Sequence, residues 1–155
     1  MTMTLRELDQ RMDLFRTRCM ERGLALTHQR WVIYRILAGT DKHLTPEAAF
    51  GQVRKQIPSI SLATVYKNIK TFLDIGLLQE VGTSGQMMRL DANLEPHHHL
   101  VCMRCKAIQD LSADGLRPVR LKGRLPKGFR VERFSVTFLG LCGQCSPRYP
   151  ASTRH

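Results

Sequence analysis

Residues 61–76 read SLATVYKNIKTFLDIG and predict a helix with two unlike faces. Apolar side chains recur in steps of three and four residues, which is the spacing of one helix face. They are Leu62, Val65, Ile69, Phe72 and Leu73. Ser61 can cap the first turn, and Gly76 stands where a C-terminal glycine belongs. We therefore expect the apolar stripe to be buried and the other face to be exposed.

The other face of this helix is polar and basic. It carries Ala63, Thr64, Tyr66, Lys67 and Lys70. Such a helix can enter the major groove of DNA, where hydroxyl and aromatic groups reach base edges and lysines meet phosphates. Arg30 and Arg35, on an earlier predicted helix, could hold the DNA backbone. The alternative is a solvated helix face, so the pattern favours DNA binding without requiring it.

Three more helices are predicted before this one. The first has an apolar stripe formed by Leu5, Leu8, Met12, Phe15 and Cys19, and it ends at Gly23. The second covers about residues 29–38. The third starts at Thr45 and Pro46, a good N-cap followed by a good first helical residue, and ends before Pro58.

Strand patterns follow the fourth helix. Residues 77–81 and 87–90 are strand-like, and Gly82–Gly85 between them predicts a turn. Helices followed by such a hairpin are typical of a winged helix-turn-helix domain.

The second half of the chain has a different character. Its strand-like segments are His97–Cys102, Ala107–Leu111 and Arg130–Leu139, and the basic segment Ser112–Lys127, broken by glycine and proline, predicts only a short, imperfect helix. We therefore expect an α+β protein.

Two domains are expected. Residues 1–86 would form the winged-helix domain and residues 91–155 a small α/β domain, with a hinge at about 82–92.

The composition excludes some classes of protein and gives weak support to others. No apolar run is long enough to span a bilayer, and the charged N-terminal segment does not resemble a signal peptide, so we expect a cytoplasmic protein without a membrane partner. The formal net charge is +11. A basic protein suggests a polyanion partner, but residues 87–155 have the larger excess, with 12 Lys/Arg against 5 Asp/Glu.

Four of the five cysteines form two CxxC pairs. They are Cys102 with Cys105 and Cys142 with Cys145. Each pair can offer two thiolates from one turn, so together they predict a closed tetrahedral zinc site that stabilises the fold. A redox-active dithiol is the alternative. Cys19 lies on an apolar stripe and is expected to be a small buried side chain.

Three consecutive histidines precede the first CxxC pair. On a strand His97 and His99 would share one face and His98 the other. Asp91 and Asp110 flank this run along the chain. Imidazole and carboxylate groups suit iron, manganese or zinc, so a metal site is favoured over a solvated loop. His43 alone, in the first half, would ordinarily be a solvated histidine.

In combination these motifs resemble the ferric uptake regulator family. The resemblance covers about residues 24–145 and rests on SISLATVY at 59–66, GL at 76–77, HHHLVCMRC at 97–105 and GLCGQC at 140–145. It implies a homodimeric, metal-dependent transcriptional repressor that binds double-stranded operator DNA, with an N-terminal winged helix and a C-terminal dimerisation domain.

The resemblance also implies the metal ligands. The four cysteines would hold structural Zn²⁺, and Fe²⁺ or Mn²⁺ would be bound by His43, Asp91, His97, His99 and Asp110. His43 is thereby included among the ligands, because it would tie the DNA-binding domain to the regulatory metal. DNA contacts are expected from Arg30, Thr64, Tyr66, Lys67 and Lys70.

Within the family the chain resembles the peroxide-sensing branch. Asp110 stands where iron sensors have glutamate, and Asp91 follows the peroxide-sensor pattern. In that branch peroxide oxidises a histidine ligand of ferrous iron, here His43 or His97. The alternatives are an iron- or manganese-responsive repressor of the same family and, outside it, a metal-dependent enzyme. The enzyme would leave the helix-turn-helix pattern unexplained.

One departure from the family pattern is expected to remove a metal site. The positions that match a second site of many relatives are occupied by Pro96, His98, Arg117 and Phe134, a set that cannot bind a cation well.

Overall fold

The computed structural model describes residues 3–81, 88–117, 119–132 and 134–146. The expected turn at 82–85 and most of the C-terminal tail lie outside these ranges. The chain divides into two compact units after Leu94. The first unit therefore contains Asp91, which the expected domain limits place at the start of the second domain. In the described part of the chain, no helix is both long and apolar enough to traverse a bilayer.

Four α-helices form the first unit. They are α1 (Leu5–Glu21), α2 (His28–Ala38), α3 (Pro46–Gln56) and α4 (Leu62–Asp74). Each begins after a hydroxyl side chain that accepts a hydrogen bond from a first-turn backbone N–H: Thr4, Thr27, Thr45 and Ser61. A cap of this kind stabilises a helix by about 1 kcal/mol, so the starts of the helices are set locally.

An aromatic cluster holds the helices together. Phe15 stacks on Tyr34 at 4.9 Å between ring centroids, and Phe72 meets both rings edge-on. All three side chains are fully buried. The cluster thus joins α1, α2 and α4 in one core.

The buried face of α4 differs in part from the expected stripe. Val65, Ile69 and Phe72 are buried, but Leu62 is 39% exposed, so its expected burial was wrong. Asn68 is buried instead. Its amide donates to Thr64 O and its oxygen accepts from Arg30 Nε, so the polar group is satisfied within the packed face.

A glycine ends α4 and turns the chain into a two-stranded sheet. Gly76 has φ +71°, a left-handed conformation that favours glycine, and Leu77 N–H then bonds to Phe72 O at 2.8 Å. Strands β1 (Gln79–Val81) and β2 (Arg89–Asp91) follow and pair antiparallel. Leu90 also bridges to Leu44.

The second unit is built on a three-stranded sheet. Its strands are β3 (His97–Cys102), β4 (Ile108–Ser112) and β5 (Thr137–Gly140), in the order β4-β3-β5. Strand β3 is antiparallel to β4 and parallel to β5. The two neighbours of β3 therefore approach its histidines and its cysteine from opposite sides.

The strand expected over residues 130–139 was wrong in extent, because only the end of this range forms a strand, β5, among its described residues. Among the described residues of 112–127, the only helix is the 3-10 turn Ala113–Gly115. Glycines and prolines, which disfavour the helix interior, interrupt this stretch too often for a regular helix.

Candidate metal centres

The four CxxC cysteines converge at one end of the second sheet. Cys102 is the last residue of β3, and in the parallel pairing it lies opposite Gly140, the last residue of β5. Met103 N–H bonds to Gly140 O at 2.8 Å, so the turns that follow the two strands lie side by side. Strand pairing therefore closes the long sequence gap between the two CxxC pairs.

The cysteine cluster has the dimensions of a tetrahedral metal site. All four Sγ atoms lie within 4.8 Å of one another, and Cys105 Sγ is 3.6 Å from Cys142 Sγ. Four Zn–S bonds of ~2.3 Å in a tetrahedron place sulfur atoms ~3.8 Å apart. The cluster therefore fits zinc, which would link both turns.

The thiols of the cluster differ in pKa. Backbone N–H groups of Cys105 and Cys142 lower the pKa of the Cys102 thiol to about 5. Desolvation, and then hydrogen bonds with the other thiols, raise the pKa of Cys145 to about 12. A divalent cation at the centre would favour all four thiolates.

A second cluster lies on one face of β3. His97 and His99 point to the same side as expected, and their Nε2 atoms are 2.9 Å apart. Asp110 faces His99 across the β3–β4 pair, and its Oδ1 is 3.7 Å from His97 Nε2 and 3.9 Å from His99 Nε2. Two metal–nitrogen bonds of ~2.1 Å at a right angle place the nitrogens ~3.0 Å apart. These groups therefore fit adjacent positions around one metal.

The backbone orients one of these rings. His97 Nδ1 lies 2.7 Å from Glu95 O, a contact in which the ring nitrogen donates to the carbonyl. The Nε2 atom of His97 then carries the lone pair and is available as a ligand. This role of Glu95 could not be predicted from the sequence, because every residue type has the same backbone carbonyl.

A third group of polar side chains is buried in the first unit. His43 Nε2 is 3.8 Å from Asp91 Oδ2. The bridge between Leu44 and Leu90 brings these two residues together, because each is next to one of the bridge partners. The first unit thus holds one imidazole and one carboxylate side by side.

The Asp91 carboxylate is held by neighbours that the sequence did not reveal. Oδ1 accepts from Asn93 N–H at 2.7 Å, and Oδ2 accepts from Gln79 Nε2 at 2.8 Å. Gln79 lies directly opposite Asp91 in the β1–β2 pair. Only the strand register places these residues together, so their spacing in the chain carried no signal.

His98 lies apart from these clusters in the second unit. Its Nδ1 accepts a hydrogen bond from Val136 N–H at 3.2 Å, and its ring lies 6.0 Å from that of Phe134. His98 therefore joins β3 to the segment before β5. The expected lack of a second metal site stays a prediction.

The face of α4 expected to read DNA is exposed, but not all its groups are equally available. Lys67 and Lys70 are exposed. Tyr66 OH donates to the Glu47 carboxylate, which raises the pKa of the phenol and lowers that of Glu47. The Thr64 hydroxyl bonds with Ser61 Oγ at 2.8 Å. The two lysines are thus the exposed cations of this face, and the DNA contacts of these residues stay predictions.

The arginines expected to hold DNA are engaged inside the first unit. Arg30 donates to Asn68 Oδ1 at 3.3 Å and to Ala25 O at 2.7 Å, which braces α2 against α4. The Arg35 guanidinium lies 5.0 Å from the centre of the Trp31 ring. Their DNA contacts stay predictions.

Helices with a DNA-binding pattern and clusters of metal-ligating side chains define a metal-responsive, DNA-binding regulator. Residues 21–139 match the family model of the ferric uptake regulator family, so the chain belongs to this family. Its members are transcriptional regulators and not enzymes, which confirms the expectation that this protein is not an enzyme.

Relatives and solved structures agree with this assignment. The chain is 28% identical to the peroxide-responsive repressor PerR of Staphylococcus epidermidis over 145 residues, which cover 94% of this chain and 97% of the relative. The structure of the Campylobacter jejuni peroxide stress regulator is similar with a TM-score of 0.62 and 27% identity, over 92% of this chain and 100% of that one. The Helicobacter pylori ferric uptake regulator shares the fold, with a TM-score of 0.67 and 18% identity over 94% and 96% of the two chains.

Proposed function

We propose that this regulator is a homodimeric repressor that holds operator DNA when metal is bound and releases it when hydrogen peroxide oxidises a histidine ligand. The observation that carries the proposal is the cluster of His97, His99 and Asp110, which offers two imidazole nitrogens and a carboxylate to one cation. Similarity to peroxide-responsive repressors supports the choice of signal.

The regulatory metal is proposed to take ligands from both units. His43 and Asp91 would come from the first, and His97, His99 and Asp110 from the second. Three imidazoles and two carboxylates suit Fe²⁺ or Mn²⁺. A metal that binds one relative arrangement of the units more tightly shifts the population to that arrangement. Metal binding would thereby favour the arrangement of the two units in which the dimer binds DNA.

Ferrous iron, when bound, supplies the redox chemistry that cleaves the peroxide O–O bond. In the net reaction one peroxide oxygen replaces a ring C–H hydrogen of His43 or His97, and the other oxygen leaves as water. Two electrons pass from the imidazole to the peroxide. The oxidised ring is a poorer ligand, so the metal and then the DNA would be released.

The cysteine cluster has a separate, structural task in this proposal. Four thiolates complete the coordination of zinc and leave no position for a substrate or peroxide. Zinc would hold the turns after β3 and β5 together whether or not the regulatory metal is bound. We place the protein in the cytoplasm, where thiols remain reduced.

The test compares two metals in one protein. The chain is purified with zinc in the cysteine cluster, loaded with Fe²⁺ or Mn²⁺, and bound to DNA from its own promoter before and after a small excess of peroxide. Mass spectrometry follows the peptides that contain His43 and His97. We expect the iron form to lose DNA and gain one oxygen atom on either histidine, and the manganese form to do neither.

A different result would contradict peroxide sensing. If the iron form keeps its DNA and both histidines stay unmodified, peroxide is not the signal. The protein would then be an iron- or manganese-responsive repressor, which the same ligand set also allows.

A further inference from the structure

A basic segment of the second unit contributes no side chain to either metal cluster. Residues 117–130 contain six cations: Arg117, Arg120, Lys122, Arg124, Lys127 and Arg130. No acidic residue occurs between 115 and 131. Every described residue from 119 to 132 is exposed. The segment is thus the largest accumulation of one charge along the chain.

These cations are not neutralised by carboxylates of the described part of the protein. Within the described ranges, none of the six lies within 4.0 Å of a carboxylate, whereas Arg16 and Arg18 of α1 both pair with acidic neighbours. Successive cations are two or three residues apart, which in an extended chain is ~7–10 Å. That is close to the Debye length of about 8 Å at physiological salt, so their fields add.

The local backbone presents the charges to solvent. Phe129 N–H bonds to Pro126 O at 3.0 Å and closes a tight turn, and Gly128 has φ +81°, which favours glycine. Lys127 lies within this turn. No regular helix or strand is found in the described residues between Gly115 and Thr137. The cations are therefore spread along an irregular segment instead of being collected on one helix face.

We propose that the basic segment 117–130 contacts the phosphate backbone of duplex DNA and supplies sequence-independent affinity, in addition to the affinity of the helix proposed to read the bases. This rests on the proposed function, because that function brings a duplex to the molecule. A polyanion relieves the repulsion among these six cations and releases condensed counterions. Phosphate contacts of this kind position a protein without reading sequence.

An anionic lipid surface is the competing partner, and the structure favours DNA over it. Exposed apolar residues such as Leu121 and Phe129 alternate with the cations. Binding in a membrane interface ordinarily requires a helix that gathers such residues on one face. The described residues of this segment form no such helix.

The experiment measures how strongly salt weakens DNA binding. The full chain, with zinc and Mn²⁺, is titrated onto a promoter duplex and an unrelated duplex of equal length between 50 and 300 mM KCl. The test variant is Lys122→Gln, Arg124→Gln, Lys127→Gln. The matched control is Lys122→Arg, Arg124→Lys, Lys127→Arg, which keeps every charge. Zinc content and circular dichroism confirm that both variants fold.

We expect the glutamine variant to bind both duplexes more weakly. The slope of log K against log salt is negative, and its magnitude should fall by about 0.9 for each phosphate that the variant no longer neutralises, up to ~2.7 for each chain on the duplex. The preference for the promoter duplex should not change, and the control should keep the full slope.

Two outcomes would overturn the proposal. One is an unchanged slope on both duplexes for the glutamine variant; the other is an equally reduced slope in the charge-conserving control. In the first case, weaker binding of the variant to vesicles of equal parts phosphatidylglycerol and phosphatidylcholine would identify a lipid contact. If the wild type shows no preference for promoter DNA, the proposed function fails, whereas the slopes on the unrelated duplex still decide the role of the segment.

Discussion

At the scale of single residues, burial decides what a polar atom can do. Tyr34 is fully buried, and its hydroxyl has no hydrogen-bond partner among the described residues. Burial raises the pKa of this phenol to about 12 from an ordinary value of 10.0. A buried hydroxyl without a partner costs about 1–3 kcal/mol, so this side chain contributes through its ring and not through its oxygen.

Tyr34→Phe is therefore expected not to lower the free energy of unfolding at pH 7 and to raise it by up to ~1 kcal/mol. Because the folded pKa is above the unfolded one, the wild type should lose stability as the pH rises from about 10 towards about 12. The variant should lack this part of the alkaline loss. Urea unfolding at pH 7 and 10.5 measures both effects.

The control for this prediction is Tyr66→Phe, which removes an exposed hydroxyl from α4. If Tyr34→Phe lowers the free energy of unfolding at pH 7, as loss of the Tyr66–Glu47 hydrogen bond is expected to do in the control, the oxygen of Tyr34 stabilises the fold and the prediction is wrong.

At the scale of elements, strand register decides which side chains hold a proposed ligand in place. The β1–β2 pair sets Gln79 opposite Asp91, and the Gln79 amide donates both to Asp91 Oδ2 and to Asn93 O. A neighbour that orients a ligand ordinarily changes metal affinity when it is removed. Gln79 is therefore expected to position Asp91 if Asp91 is a metal ligand as proposed.

We expect Gln79→Leu to weaken Mn²⁺ binding by about 10- to 100-fold and to leave zinc in the cysteine cluster. Titration of the zinc-loaded protein with Mn²⁺ measures the change. Gln52→Leu, an exposed glutamine on α3, is the matched control and should bind Mn²⁺ like the wild type. Equal affinity of the two variants would mean that Asp91 is no ligand or needs no support from Gln79.

At the scale of the whole molecule, the two units are stabilised by different means. The first has a core of buried apolar side chains from all four helices. The second is small, and the side chains of β5 are exposed along its whole length. Small units of this kind often depend on a metal for their stability.

Removal of zinc is therefore expected to unfold the second unit and to leave the helices of the first. Hydrogen exchange should show reduced protection in β3, β4 and β5, with protection retained in α1 to α4. Cys142→Ser should reproduce the effect, and Cys19→Ser should keep the zinc. If chelation of zinc unfolds both units cooperatively, the first unit is not stably folded without the second, and the prediction is wrong.

The sequence by itself determined the elements whose signals are local. The starts of α3 and α4 followed from Thr45 and Ser61, because a side-chain cap acts on backbone groups one turn away. The shared face of His97 and His99 followed from the alternation of a strand. The family motifs indicated the ferric uptake regulator fold, since they occur in order over most of the chain.

Only the tertiary structure decided what depends on distant partners. Leu62 fits the apolar period of α4 but is exposed, and Asn68 is buried because Arg30 on α2 satisfies it. The pairing of β3 with β5 brings the two CxxC turns together, and the β1–β2 register places Gln79 on Asp91. Local patterns specify caps and faces, whereas burial and hydrogen bonding between segments depend on how the chain packs.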